Sequence, residues 1–254
     1  NHVLADFRCR LAKRLLAGTD ETIDQIVYLT GFSEPSTFYR AFKRWVGEPP
    51  IEYRKRKKSE RGLCAFRVDL DDAVTRLRAG DVVAIPTETV YGLAGDARND
   101  AALRRIFALK GRPLSNPLIV HVAGIDALGP WVRGELATRV RALMQAFWPG
   151  PLTIVLPASD TVSRLVTAGG DSVALRVPAH PLTQQLLQRL GGGLCAPSAN
   201  RSGYVSPVSA AHVLEDYDGD DLAALDGGEC PRGIESTIVR PQDDVLQILR
   251  PGAL

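Results

Sequence analysis

Hydrophobic positions follow two different rhythms on either side of a charged stretch, residues 54–62. Before it, apolar residues recur three and four positions apart, as at Phe38, Phe42 and Trp45, which is helical spacing. After it, short β-branched runs alternate with amphipathic stretches. Strands interleaved with helices are typical of α/β layers around one sheet. We therefore predict a small all-α segment followed by an α/β domain.

Several predicted strands follow one another without a helix between them, so we expect a mixed sheet rather than a purely parallel one. The predicted helices are 71–78, 100–109, 135–148, 181–190 and 208–217. The predicted strands are 82–85, 118–122, 152–156, 173–177, 238–239 and 245–249. The domain boundaries that follow are 1–58 for the helical segment, 59–65 for a linker and 66–254 for the α/β domain.

Turn and cap signals divide the helical segment. Residues 22–25 have the spacing of a capping box, and Gly31 ends the helix that follows. Residues 33–35 indicate an N-cap with proline in the first turn, and Gly47 ends that second helix. Two short helices joined by a glycine-containing turn, the second rich in polar and basic residues, are typical of a helix-turn-helix. A purely structural helical bundle fits the same pattern equally well.

The net charge of +2 conceals an asymmetry, because residues 1–62 are basic and the remainder is mildly acidic. This favours two modules with different partners. The four cysteines, Cys9, Cys64, Cys195 and Cys230, form no Cys-x-x-Cys pair and have no histidine at zinc spacing. We expect free thiols in a reducing cytoplasm. No apolar run approaches the ~20 residues of a membrane-spanning helix, and the first residues lack the pattern of a signal peptide.

Polar clusters follow the predicted strands, where open α/β sheets bind ligands. No P-loop and no Gly-x-Gly-x-x-Gly is present in the sequence. Lys110 would supply a compact ammonium charge, and Arg112 would supply a guanidinium that can donate two parallel hydrogen bonds. Together these groups suit a polyphosphate. They fit a solvated helix terminus equally well. The loop at Thr87 could be a turn with capping threonines, and His121 could be a satisfied core histidine.

Together, seven stretches resemble the YrdC-like threonylcarbamoyl-AMP synthases, over about residues 66–254. They occur in the family's order, at 86–93, 110–121, 148–153, 173–178, 196–200, 235–238 and 249–252. The resemblance implies a twisted mixed-sheet α/β fold with a concave, positively lined cleft. It implies synthesis of threonylcarbamoyl-AMP and pyrophosphate from L-threonine, bicarbonate and ATP, for tRNA threonylcarbamoyladenosine. It also implies the short form of the enzyme, without an added C-terminal domain.

The resemblance also implies roles for single residues. Lys110 and Arg112 would be catalytic and would contact ATP. The threonine contacts would be Thr87, His121, Arg176 and Ser236; the remaining ATP contacts would be Ser172, Ser198, Ser206 and Arg250, with Tyr91 and Asn200 as further candidates. We expect Lys110 to be exposed in the cleft. Magnesium would be held by the substrate phosphates, since the sequence shows no dedicated carboxylate cage and no protein metal ligand is expected.

The first residues resemble the C-terminal half of an AraC-type DNA-binding domain, on stretches 10–16, 23–27, 31–47 and 50–54. This implies DNA contacts from the second helix, by Ser36, Thr37, Tyr39, Arg40, Lys43 and Arg44. Such domains carry two helix-turn-helix motifs, and on this resemblance the chain would begin inside the helix that links them. A domain with only one of the two motifs should bind DNA weakly and in a salt-sensitive way, because phosphate contacts would dominate its remaining interactions with DNA.

Two alternatives stay open on sequence alone. YrdC-like domains also resemble binders of double-stranded RNA or tRNA, so the α/β domain could be a binding module without synthase activity. The whole chain could instead be a DNA-binding regulator with a nucleotide-sensing domain, or the helical segment could be a relic. If the synthase assignment holds, downstream tRNA-modification proteins would be its partners, and it would work in the cytoplasm and not at a membrane.

Overall fold

The computed structural model describes residues 2–19, 21–59, 65–218, 220–242 and 245–254. The chain divides into two compact units, Asn1–Cys64 and Ala65–Leu254. Most of the predicted linker, residues 60–64, lies outside the described residues, as does Cys64. The boundaries 1–58, 59–65 and 66–254 therefore stay a prediction. The two units are described separately.

The first unit is helical, as predicted. Its helices are α1 (His2–Gly18), α2 (Ile23–Leu29), α3 (Pro35–Val46) and α4 (Pro50–Ser59). Leu16, Ile26, Phe38 and Phe42 are fully buried between them. The rings of Phe38 and Phe42 lie 5.8 Å apart, so the apolar positions read from the helical spacing form one small core.

The predicted capping box is confirmed at α2. Thr22 Oγ1 accepts from the Gln25 amide at 3.2 Å, and the Gln25 side chain accepts from the Thr22 amide at 2.7 Å. At α3 the N-cap is Glu34, which makes no side-chain capping bond, and Pro35 occupies the first turn. Gly47 has a φ of 87°, which glycine adopts without the steric cost of a Cβ.

The second unit is an α/β layer structure around a mixed sheet. Its strands are β1 (Phe66–Val68), β2 (Val83–Ile85), β3 (Gly92–Asp96), β4 (Ile119–His121), β5 (Leu152–Pro157), β6 (Ser172–Arg176), β7 (Leu194–Cys195), β8 (Ala223–Leu225), β9 (Thr237–Gln242) and β10 (Val245–Arg250). Its helices are α5 (Leu70–Arg78), α6 (Asp100–Lys110), α7 (Thr138–Phe147), α8 (Arg164–Thr167), α9 (Pro181–Leu190) and α10 (Ala210–Asp216). A short 3-10 turn spans Ile125–Ala127.

The strand order is β1-β8-β2-β3-β7-β4-β6-β5-β9-β10. Strands β4 and β6 run parallel, as do β5 and β9, whereas β5 and β6 run antiparallel. The prediction of a mixed sheet is therefore confirmed. Neighbouring residues of β2 belong to different apolar clusters, with Ala84 in one and Val83 and Ile85 in the other. This alternation is expected of a strand covered on both faces.

The sequence pattern failed where strands are short or rich in glycine. Strands β1, β3, β7 and β8 were not predicted, and Gly92 was placed in a loop. A Cβ at Gly92 would lie 3.1 Å from the Ala196 side chain and backbone, so close approach of two chain segments fixes β3 rather than strand propensity. The helix predicted at 135–148 begins only at Thr138, and the residues before it pair with the end of β5, where Arg133 donates its amide to the Pro157 carbonyl.

Candidate active site

One face of the sheet forms the floor of a cleft of about 340 Å3. Alternate residues of β6, Ser172, Ala174 and Arg176, line it, as do Ile119 and His121 of β4. Successive side chains of a strand point to opposite faces, so this period of two places the cleft over the sheet face. The strand-end loops alone predicted only part of this site; a concave cleft was expected from the family resemblance.

Nine of the predicted site residues line this cleft: Thr87, Tyr91, Arg112, His121, Ser172, Arg176, Ser198, Ser236 and Arg250. Three predicted residues lie beside it without lining it: Lys110, Ser206 and Asn200. The fold thus brings the separate motifs together, although only side-chain geometry can suggest what each residue does.

Thr87 fixes the loop that follows β2. Its Oγ1 accepts from the amides of Thr89 and Val90, both at 3.1 Å, and donates to the Val90 carbonyl at 2.6 Å. A hydroxyl that bonds its own loop in this way forms a local turn. The capping-threonine interpretation is therefore confirmed as geometry, and it is compatible with a side chain that also faces the cleft.

His121 and Arg176 are register partners on the parallel strands β4 and β6, which places both on the cleft floor. Burial, assisted by the neighbouring Arg176 charge, lowers the pKa of His121 to about 3. The imidazole is therefore neutral at physiological pH. Its Nδ1 is buried and has no hydrogen-bond partner among the described residues. An unpaired polar atom of this kind is available to a ligand.

Arg176 is almost fully buried and already carries an ion pair. Its Nη2 donates to Glu88 Oε1 at 2.6 Å, and its Nε donates to the Gly150 carbonyl at 3.2 Å. The second oxygen of Glu88 accepts the Ala179 amide at 2.9 Å. Burial lowers the pKa of Arg176, and Glu88 opposes that shift. The predicted stretch 86–93 contains Glu88, but Glu88 was not among the predicted site residues.

Lys110 is the clearest correction. It was expected to be exposed in the cleft, but only 3% of the residue is exposed. Its Nζ donates to the carbonyls of Ser198 and Asn200. Burial, with Arg112 next in importance, lowers the pKa of Lys110 to about 8, and Glu235 opposes the shift. The apolar end of α6 buries the stem, and the 198–200 loop closes over the ammonium group.

Arg112 lines the cleft, and not all of the hydrogen-bond donors of its guanidinium have a partner. Its Nη2 donates to the Pro117 carbonyl at 3.0 Å, while its buried Nε has no partner among the described residues. Burial is the main cause that lowers the pKa of Arg112. A buried guanidinium donor without a partner favours an anionic ligand at this end of the cleft.

Glu235 joins the other residues at this end. Its carboxylate accepts from Ser206 Oγ at 3.1 Å and from Arg250 Nη1. Arg250 also donates to the Ser236 carbonyl at 2.9 Å, and Ser236 Oγ lies 2.8 Å from Thr153 Oγ1. Ser236 therefore lies beside Arg250. Glu235 was missed as a site residue, although the Glu-Ser-Thr-Ile motif contained it.

The side chains of Tyr91 and Asn200 form hydrogen bonds to the backbone of neighbouring loops. Tyr91 donates its hydroxyl to the Gly228 carbonyl at 2.8 Å and accepts the Gly227 amide at 3.1 Å. Burial raises the pKa of Tyr91 to about 12. Asn200 donates to the Tyr204 carbonyl at 2.8 Å. Both side chains are satisfied by the protein, which makes them supports of the site.

The part of the chain that the structure describes contains no group of three or more His, Cys, Asp or Glu residues placed to hold a metal ion. Among the described cysteines, Cys9, Cys195 and Cys230 are free thiols. No described helix is both long and apolar enough to cross a membrane.

In the first unit, the residues expected to contact DNA lie along α3. Ser36, Thr37, Arg40, Lys43 and Arg44 are exposed. Tyr39 is half-buried, with its ring 6.2 Å from that of Phe38. Arg40 and Arg44 also line a groove with Arg8 of α1, whose guanidinium lies 5.1 Å from the Phe32 ring centre. Tyr39 therefore belongs mainly to the helical core.

A family model described as telomere recombination, for the Sua5, YciO and YrdC proteins, matches residues 75–252. The chain belongs to the Sua5/YciO/YrdC family. A model described as a helix-turn-helix domain matches residues 1–56. The family match covers the whole cleft, so the residues described above are those of a Sua5/YciO/YrdC domain.

Relatives in this family support the same conclusion. A Bacillus subtilis protein named threonylcarbamoyl-AMP synthase is 46% identical over 72% of this chain and 53% of its own length. A protein of the same name from Vibrio parahaemolyticus is 36% identical over 72% of this chain and 99% of its own length. The chain spans about half the length of the first curated relatives it matches.

Solved structures of the family share the fold. Pyrococcus abyssi Sua5 in complex with L-threonine superposes with a TM-score of 0.70 at 43% identity, covering 74% of this chain and 57% of that one. Escherichia coli YciO has a TM-score of 0.63 at 23% identity, covering 75% of this chain and 96% of that one. The second likeness concerns the fold alone.

Proposed function

We propose that this chain is a threonylcarbamoyl-AMP synthase, which condenses L-threonine, bicarbonate and ATP. The observation that carries the proposal is a single cleft lined by two pairs of chemically different residues, to which we assign a threonine end and an ATP end. Neutral His121 and the buried Arg176 form the first pair, and Arg112 and Arg250 form the second. Relatives at 46% identity bear the same name, and a 43% identical Sua5 was crystallised with L-threonine.

The threonine end matches an amino acid with a hydroxyl side chain. Arg176 would bind the carboxylate, since a guanidinium is a fork for carboxylate oxygens. His121, neutral and with an unpaired Nδ1, would bind the amino or hydroxyl group without adding charge. Thr87 would contact the ligand through the loop that it fixes. Ser236 was assigned to threonine by resemblance, but its bond to Arg250 favours a place between the two substrates.

The ATP end matches a polyphosphate. Arg112 and Arg250 would contact phosphate oxygens, with Ser172 and Ser198 as hydroxyl donors on the cleft wall. Lys110 and Ser206 would act mainly through the loops they hold, because neither lines the cleft. Glu235 would offset the mutual repulsion of Arg112 and Arg250 before the phosphates arrive, since like charges at close range repel.

The reaction needs positioning and charge neutralisation more than an acid–base pair. The threonine amine and bicarbonate form a carbamate and release water; the carbamate oxygen then attacks the α-phosphorus, and the bond to pyrophosphate breaks. Arg112 and Arg250 would stabilise the charge that develops on the phosphates. Magnesium, where bound to those phosphates, would supply further positive charge. A closed cleft would protect the carbamate from water.

The helical unit would add a weak DNA contact. Its match to a helix-turn-helix model supports the proposal that it is the C-terminal half of an AraC-type domain. Ser36, Thr37, Tyr39, Arg40, Lys43 and Arg44 would form the contact face, with Tyr39 supporting it from the core. Arg40, Lys43 and Arg44 make no ion pair among the described residues, so their charge is available to phosphates.

The partners and the cellular compartment of the proposed enzyme follow from its product. Threonylcarbamoyl-AMP would pass to proteins that modify tRNA, so the enzyme would work in the cytoplasm. A tRNA or double-stranded RNA contact is the second candidate role. The exposed Arg232 and Arg240, which make no ion pair among the described residues, would be its cations.

The test is pyrophosphate release with each substrate omitted in turn. Release should require ATP, L-threonine and bicarbonate together. Release from ATP alone would instead indicate a plain ATPase, and no release by folded protein with all three would reject the synthase. An RNA mobility-shift assay on nuclease-treated protein, run beside it, would reveal a binding module without activity.

A further inference from the structure

Glu88 is a charged residue in this region that the proposed reaction leaves without a role. Its side chain is largely buried, and it pairs with Arg176 at 2.6 Å. Arg176 is among the residues that line the cleft, and Glu88 is not among those described as lining it. Glu88 therefore contacts the guanidinium without belonging to the cleft lining.

The orientation of Glu88 is itself fixed from two directions. Its Oε2 accepts the amide of Ala179, just before α9, at 2.9 Å. Its own carbonyl accepts the amide of Arg232 at 3.2 Å, and the neighbouring Thr87 turn fixes the loop on the other side. Both the carboxylate and its backbone are thus held by parts of the chain that are distant in sequence.

Two hydrogen bonds orient the Arg176 guanidinium. The Nη2 group donates to Glu88, and Nε donates to the Gly150 carbonyl. The parallel pairing of β4 with β6 also fixes the backbone of Arg176. The Nη1 group makes no hydrogen bond among the described residues. An arginine with one edge bonded to a carboxylate can donate from its remaining N–H groups to a second carboxylate in a defined direction.

The electrostatics of the Glu88–Arg176 ion pair also favour a fixed guanidinium. A buried guanidinium without a counter-ion is costly, and a fixed carboxylate offsets that cost. With Glu88 in place, Arg176 can stay charged in the cleft before any substrate is present. The substrate carboxylate then meets an oriented cation rather than a mobile one, which reduces the ordering cost of binding.

We infer that Glu88 is a positioning residue for the amino-acid substrate, which holds Arg176 so that its remaining N–H groups meet the substrate carboxylate. The inference rests on the proposed synthase function. It predicts that Glu88 determines the affinity for L-threonine and has little influence on the affinity for ATP, because the Glu88 carboxylate bonds Arg176 and Ala179 and neither Arg112 nor Arg250.

The test compares Glu88→Gln with the exposed control Glu135→Gln. Glutamine keeps the size but loses the charge, and it cannot accept from both Arg176 and Ala179. We expect the KM for L-threonine, and its Kd measured by calorimetry without ATP, to rise about tenfold. The KM for ATP should stay within about twofold of the wild-type value. Glu135→Gln should change neither.

Unchanged threonine affinity in folded Glu88→Gln would overturn the inference, as would an equal rise in both KM values, which would indicate a purely structural role. If Glu88→Gln does not fold, Glu88→Asp, which keeps the charge but is one methylene shorter, replaces it with the same criteria. A wild-type protein that binds L-threonine but releases no pyrophosphate would reject the synthase while the binding comparison still tests Glu88. A wild type that binds no L-threonine would overturn both.

Discussion

Lys110 donates a hydrogen bond from its Nζ to the carbonyl of Asn200 at 2.6 Å, across 90 residues of sequence. The same ammonium group also bonds the Ser198 carbonyl, and the Lys110 carbonyl accepts the Ser202 amide at 2.8 Å. The end of α6 is therefore joined to the 198–202 loop, part of which lines the cleft. This lysine shapes the site, in addition to any charge it presents to a phosphate.

Replacing Lys110 by Met should destabilise the domain as well as impair ATP use. The change leaves two buried carbonyls without their donor, at a cost of about 1–3 kcal/mol, and loosens the loop that carries Ser198. Urea unfolding and the KM for ATP check both effects. The matched control is Arg104→Met, an exposed cation on the same helix. Equal stability of the two variants would show that the Lys110 contacts contribute nothing.

His121 should make stability depend on pH. Because burial lowers its pKa from 6.5 to about 3, the unfolded chain binds a proton below pH 6.5 that the folded chain does not. This contribution is complete above pH 6.5 and is lost as the pH falls towards 3, at up to about 1.4 kcal/mol per pH unit.

Urea unfolding at pH 7.5 and pH 5 checks this for wild type and for His121→Asn. Other titrating groups are common to both proteins and cancel in the comparison. Wild type should lose more stability between the two pH values than the variant does. Parallel losses would mean that the imidazole is not held neutral by burial.

The hydroxyl of Thr87 should matter more than its methyl group. Thr87→Val removes the atom that bonds the Thr89 amide and the Val90 amide and carbonyl, whereas Thr87→Ser keeps it. We expect the KM for L-threonine to rise about tenfold in the valine variant and to change little in the serine variant. Steady-state kinetics with ATP held saturating measures this. A larger defect in the serine variant would assign the role to methyl packing.

The sequence predicted much of the fold because periodicity is strong in the long elements. Helices α5, α6 and α9, and strands β5, β6 and β10, lie within a few residues of their predicted positions. Strands β3 and β7 escaped prediction because pairing across the sheet, rather than composition, makes them strands. Their positions depend on long-range contacts that no local window contains.

The family resemblance predicted most of the cleft residues, but it did not predict the exposure or the hydrogen-bond partners of their side chains. Exposure of Lys110 was expected and is wrong, because the closure of the 198–200 loop over it is a tertiary contact. Glu88 and Glu235 were missed for a related reason: each acts on a neighbouring arginine from another strand or loop. Sequence spacing carries no signal for such partners.

The helical unit should bind duplex DNA weakly, with strong salt dependence. Replacing both Arg40 and Arg44 by Gln should reduce the slope of log K against log salt by about 2, since each phosphate contact contributes about 0.9. Fluorescence anisotropy with a labelled duplex at several salt concentrations measures the slope, with Arg104→Gln as the control. Failure of the wild type to bind even at low salt would reject the DNA contact.

The most direct test of the central claim follows the carbon of bicarbonate. Protein incubated with ATP, L-threonine and 13C-bicarbonate should yield threonylcarbamoyl-AMP that carries the label, with one pyrophosphate released per product. Mass spectrometry of the quenched mixture, with each substrate omitted in turn, makes the measurement. Labelled product formed only when all three substrates are present is the expected result. Folded protein that binds L-threonine and ATP but forms no labelled adenylate would contradict the claim.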